Sequence, residues 1–112
     1  YSDEKGTGAG EGYNKNYPMP PGTSYNVWSE ALDDSIKNIK TFNPEILIVS
    51  LGVDVYENDP ISFFKLKCKN FIDIGKRLSK LKLPTLFVME GGYAIKDIGV
   101  NTVNTLKGFE NR

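Results

Sequence analysis

NPEILIVSLGVD, residues 43–54, is the stretch from which the fold is read. Pro44 closes off any helix before it, because its ring disfavours a helical conformation in the preceding residue. Ile46, Leu47, Ile48 and Val49 then follow one another without a polar residue, and the run ends near Gly52. A short, continuous, β-branched run of this kind is how a strand buried on both faces reads, and such strands belong to parallel sheets.

Upstream of it, Trp28, Ala31, Leu32, Ile36 and Ile39 recur at helical spacing while Glu30, Asp33, Asp34 and Lys37 fall between them. This predicts an amphipathic helix over residues 24–41, with Thr23 or Ser24 as N-cap. Residues 1–23 hold five Gly and three Pro with no apolar period, and read as loop. Downstream, a polar loop over residues 53–66 carries Asp54, Glu57 and Asp59 and is long for a connector. Phe71, Ile74, Gly75, Leu78 and Leu81 mark a second amphipathic helix, and residues 84–89 a second buried strand ending in Glu90, Gly91 and Gly92. A third helix is expected with Ile95, Ile98, Thr102, Leu106 and Phe109 on one face.

Helix, strand, helix, strand, helix is the order of an α/β protein whose two strands lie parallel, joined by a right-handed crossover, with helices on the faces of the sheet. Two strands cannot bury three such helices, so residues 1–112 are expected to be one part of a larger sheet. The length excludes a second complete domain. The chain starts without Met, in a Gly-rich polar loop, and sequence upstream of it is expected.

Lys plus Arg and Asp plus Glu number 14 each, so nothing global draws the chain to nucleic acid or to an anionic membrane. At 39% hydrophobic and 25% charged residues it has enough apolar material for a core and too much for disorder. The longest apolar run falls far short of the roughly 18 residues that cross a bilayer. Cys68 is the single cysteine, which excludes a disulfide framework and fits a reducing, cytoplasmic setting. There is no His, so the usual general base, Ser or Cys triads and His metal ligation are all beyond this chain's own residues.

Ligands of open α/β sheets bind beyond the carboxyl ends of the strands. Asp54, Glu57 and Asp59 follow the first strand and Glu90 the second, an acidic end suited to a cation; turn capping and solvation account for the same residues equally well. Tyr93, after Gly91 and Gly92, could bring a phenol to that end, although by residue type alone it is a core or surface tyrosine. GTGAGEG, residues 6–12, lacks the third glycine of a dinucleotide fingerprint and has no strand before it, so it reads as a turn. Lys65, Lys67, Lys69, Lys76, Arg77, Lys80 and Lys82, relieved by Asp73, read as the solvated side of the second helix.

Three stretches carry a resemblance: SLGVDVYENDPISFFKL at 50–66, VMEGGY at 88–93 and GEGYNKNYPMPPGT at 10–23. Together they resemble the C-terminal part of the histone deacetylase superfamily, and DPISFFKL followed by MEGGY looks most like its acetylpolyamine amidohydrolases. The resemblance implies an arginase-like and deacetylase-like parallel α/β sheet, of which residues 1–112 are the C-terminal segment of a single domain. It implies a zinc-dependent deacetylase acting on small cationic acetylated amines, with no nucleic-acid or membrane partner and a homodimeric assembly. The family's metal is held by Asp, His and Asp, and its Gly-x-Asp ligand motif falls on Gly52, Val53 and Asp54. Asp59 is then a carboxylate that shapes its loop. The family's GGY motif places the catalytic tyrosine, an oxyanion donor, on Tyr93. The family's Asp-x-His pair and tandem His base would lie upstream, so this chain should be inactive alone. Lys67 and Cys68 stand where a Ser or Thr would be expected to start the second helix. A non-catalytic α/β interaction module, pairing through its sheet edge, or a degenerate homologue is the rival reading; His-containing sequence upstream would separate them.

Overall fold

The computed structural model describes residues 1–110. Strands β1 (Leu47–Leu51) and β2 (Thr85–Met89) pair in parallel, with Leu47 opposite Thr85 and Leu51 opposite Met89. They are preceded, linked and followed by helices α1 (Tyr25–Phe42), α2 (Cys68–Ser79) and α3 (Ile98–Glu110). The ladder continues past the strands: the Glu90 N–H donates to the Leu51 carbonyl at 2.9 Å and the Val53 N–H to the Gly91 carbonyl at 2.7 Å. The loops that follow β1 and β2 are thereby held side by side.

Helix α1 starts after Ser24, whose extended backbone takes the N-cap position while its side chain makes no capping hydrogen bond. It ends at Asn43, which turns left-handed at φ 56° and donates its N–H to the Ile39 carbonyl. Asn is one of the few residues that accept this conformation cheaply, and Pro44 then prevents continuation. At α2, Lys67 takes the N-cap position, and Asn70 at the third helical residue reaches back to it: its Oδ1 accepts the Lys67 N–H at 2.7 Å, the half of a capping box that the third residue supplies. Arg77 of α2 pairs with Asp73 at 2.7 Å and with Asp33 of α1 at 2.6 Å, and the Tyr25 hydroxyl donates to Asp73. Part of the basic stretch is therefore a bridge between helices.

Leu51, Val53, Tyr56, Leu66, Phe71, Ile74 and Leu78 form the core, and Tyr25, Trp28 and Leu32 of α1 pack against it. Three of these seven come from the loop between β1 and α2, which is a folded element: the Glu57 N–H donates to the Leu66 carbonyl at 2.7 Å and the Leu66 N–H to Val55 at 3.2 Å. Leu47 and Val49 pack on the core while Ile48 and Leu86 are exposed. Burial of the strands on both faces is thus met on one face among the described residues. The exposed row is what a further layer of a larger sheet would cover.

The expected face of α3 holds in part: Ile98 and Phe109 pack against the core. Asn101, Thr105 and Gly108 are buried, whereas Leu106 and Ile95 are exposed. The reason is the closeness of α2. A Cβ at Gly75 would lie 2.0 Å from the Thr105 carbonyl oxygen, and one at Gly108 would lie 1.9 Å from that of Ile72. Backbones this close exclude large side chains, so the small stripe packs on α2, while Ile98 and Phe109 of the expected stripe still meet the core, Phe109 edge-on to Phe87. Gly108→Ala should therefore force the helices apart and lower stability by about 1–3 kcal/mol, read as a fall in thermal midpoint; an unchanged midpoint would contradict the crossing.

Candidate active site

The site lies where the β1 and β2 loops run side by side. Val53 is buried in the core, and its N–H is bonded to Gly91, so Asp54 emerges from a fixed backbone at the strand end. Its half-buried carboxylate has no hydrogen-bond donor among the described residues. Two glycines make room for it: a Cβ at Gly52 would sit 2.9 Å from Oδ1, and one at Gly91 would sit 2.5 Å from Oδ2. Neither glycine has a positive φ. Space is the requirement, since any side chain at Gly91 would displace the carboxylate.

Tyr93 lies on the same side of Gly91. Its Cε2 is 3.5 Å from the point where a Gly91 Cβ would sit, close to the Asp54 carboxylate. The ring is 47% exposed and its hydroxyl has no partner among the described residues, so it is open to a ligand. The structure thus brings Asp54 and Tyr93 to one place.

Asp59 does a different job. It is buried, at 6% exposure. Its Oδ1 accepts the N–H groups of Ile61 at 2.9 Å and Ser62 at 3.0 Å, closing the turn around Pro60. Its Oδ2 accepts the Tyr93 N–H at 2.9 Å, across to the other loop. The first role was legible in the Asp-Pro pair. The second was not, because it joins residues 34 positions apart. Burial pushes this carboxyl up, and the N–H donors of Ile61, Tyr93, Ser62 and Ala94 outweigh it, holding the group below the ordinary carboxylate range.

Glu57 and Glu90 are exposed. Among the described residues no three His, Cys, Asp or Glu side chains gather in a manner that could hold a metal ion, so the acidic end is not a complete cation site. The glycine-rich stretch forms a single exposed turn, Gly8–Gly10. The N-terminal segment meets the Asp59 loop through the Gly22 N–H to the Phe63 carbonyl at 2.6 Å and the Lys65 N–H to the Thr23 carbonyl at 3.1 Å. All three stretches quoted for the resemblance are therefore joined by backbone bonds around one site.

The histone deacetylase domain family matches residues 1–109. The chain belongs to that family. It is 52% identical over 110 residues to acetylpolyamine amidohydrolase 1 of Pseudomonas aeruginosa, covering 98% of this chain and 32% of that protein. To the acetylpolyamine amidohydrolase of Mycoplana ramosa it is 53% identical over 108 residues, 96% of this chain and 32% of the relative. The crystal structure of the acetylpolyamine aminohydrolase from Burkholderia pseudomallei superposes with a TM-score of 0.94 at 40% identity, over 97% of this chain and 32% of that one. This deacetylase-family chain is thus a partial domain, spanning about a third of the length of the curated relatives it matches. The expected α/β class and deacetylase-like architecture hold. No described helix is long and apolar enough to cross a membrane.

The depressed Asp59 pKa carries a pH dependence. Its contribution to stability is fully present above the unfolded carboxylate range, about pH 4, and is lost as the pH falls through the lower folded value. Asp59→Asn, which cannot titrate, should be less stable at neutral pH and lose less stability on acidification. Urea midpoints from about pH 7 down to about pH 2 check this; an acid limb identical in both proteins would contradict it.

Proposed function

We propose that this chain is the C-terminal segment of a single deacetylase domain that hydrolyses acetyl amides of small cationic amines, acetylated polyamines among them. The observation that carries the proposal is the Asp54 carboxylate, free of protein donors and sharing the space over Gly91 with the Tyr93 ring. A half-buried carboxylate without a protein donor has its oxygens open to a cation. The named activity of the relatives supports the substrate class. A cytoplasmic setting and a homodimeric assembly belong to the same reading and rest on the resemblance.

Zinc is the group the family implies, and the residues fit it in part. Asp54 suits one oxygen ligand on a rigid strand end, while the absence of His leaves the remaining ligands and the base to residues outside this chain. When bound, zinc supplies Lewis acidity at the scissile amide. Tyr93 supplies a hydroxyl donor aimed at the carbonyl oxygen as negative charge develops there. Gly91 leaves the space between Asp54 and Tyr93 free of a side chain, and the ladder between β1 and β2 keeps the two from drifting apart.

Two substitutions test this in a protein carrying the chain together with the rest of the domain. Asp54→Ala should lose zinc and activity together, measured by metal analysis and turnover; zinc retained at full occupancy would remove Asp54 from the ligand set. Tyr93→Phe should keep zinc and substrate affinity while kcat against an acetylated diamine falls about 10² to 10³-fold, the usual effect of removing one oxyanion donor. Phe preserves the ring, so an unchanged kcat would remove Tyr93 from the mechanism.

A further inference from the structure

The turn that carries Tyr93 is packed on either side of it, Gly92 against the side chains of Val53 and Ile98 and Ala94 against the core, whereas the Tyr93 ring itself is half exposed. The Gly91 carbonyl is tied to Val53, and Ala94 accepts the N–H groups of Asp97 and Ile98 at 2.8 and 3.1 Å. Between those anchors, Tyr93 is fastened by its N–H to Asp59 Oδ2, at 2.9 Å.

Asp59 is an ordinary side chain for closing a turn but a costly one to bury. Asn or Ser can accept the two turn N–H groups of Ile61 and Ser62, and either would cost less to bury than a carboxylate. What neither can do is accept on both oxygens at once. An Asn amide would present an N–H to one of the two sets of donors, and a Ser hydroxyl is too short to span them. The ionised carboxylate is the side chain that closes its own turn with one oxygen and reaches the opposite loop with the other.

We propose that Asp59 is a positioning residue for Tyr93: its buried carboxylate, anchored on the Ile61 and Ser62 N–H groups, grips the Tyr93 N–H and sets the ring beside Asp54. The proposal rests on the reading of Tyr93 as the oxyanion donor. Asp59 touches no reacting atom, and acts through where it puts the tyrosine.

A double-mutant cycle in the complete protein tests it, with kcat, KM and bound zinc measured for the wild type, Asp59→Ser, Tyr93→Phe and the double variant. Asp59→Ser keeps a short acceptor for the turn and deletes the arm to Tyr93. It should lower kcat about 10- to 100-fold, as a misplaced catalytic group does, with KM and zinc content unchanged. In the Tyr93→Phe background the same substitution should change kcat by less than about twofold. Equal losses in both backgrounds would make Asp59 merely structural and overturn the proposal, as would an unchanged kcat in Asp59→Ser. If Tyr93→Phe alone leaves kcat intact, the reading of Tyr93 fails and the positioning role falls with it; if Tyr93→Phe is slow and Asp59→Ser is not, only the positioning role fails. Asp59→Asn, nearly isosteric, serves as a second variant with the same expected pattern. Failure of both variants to fold would assign Asp59 to stability alone and overturn the proposal.

Discussion

Everything at this site depends on the parallel ladder running beyond its strands. Once the Glu90 N–H is bonded to the Leu51 carbonyl and the Val53 N–H to that of Gly91, the two loops leave the sheet as a joined pair. A parallel pair has both carboxyl ends on the same side, so residues that follow β1 and β2 emerge together although the chain between them crosses the whole domain. Asp54 and Tyr93 are neighbours for that reason. The crossover helix α2 supplies the distance in sequence, and the sheet removes it in space.

The second constraint is room. Carboxylate and phenol can share one strand end because Gly91 offers no Cβ between them and Gly52 none beneath. The same device recurs at the back of the fold, where Gly75 and Gly108 let α2 and α3 approach until each Cβ position falls on the other helix's backbone. In the site, missing side chains create space for chemistry. In the helix pair, they create a contact tight enough to bury Asn101 and Thr105 among the most enclosed residues.

Electrostatics divides the acidic end into distinct parts. Asp59, enclosed and surrounded by backbone donors, is kept ionised by the fold's own N–H groups. Asp54, half-buried, has no such donors among the described residues. Glu57 and Glu90 are solvated. Four acidic residues alike in sequence thus sit in three different environments, and burial together with donor supply makes the distinction.

Residues 43–54 and their periodic neighbours determined the order of elements, the parallel pairing and the end of the sheet at which to search, because backbone periodicity and β-branched runs are local properties. The start of α1 at Thr23 or Ser24 and its stop before Pro44 were legible for the same reason. The three quoted stretches determined the family and pointed to Asp54 and Tyr93. Tertiary structure decided that the small stripe Asn101, Thr105 and Gly108 of α3 packs on α2 beside the expected contacts of Ile98 and Phe109, since helix approach depends on what stands opposite. It also decided that the 53–66 loop is part of the core, that Asn70 reaches back to the Lys67 N–H, and that Asp59 reaches Tyr93. Each of these joins groups whose partnership has no local signature: a hydrogen bond across 34 residues leaves no period in the chain, and only the folded ladder brings its two ends within reach.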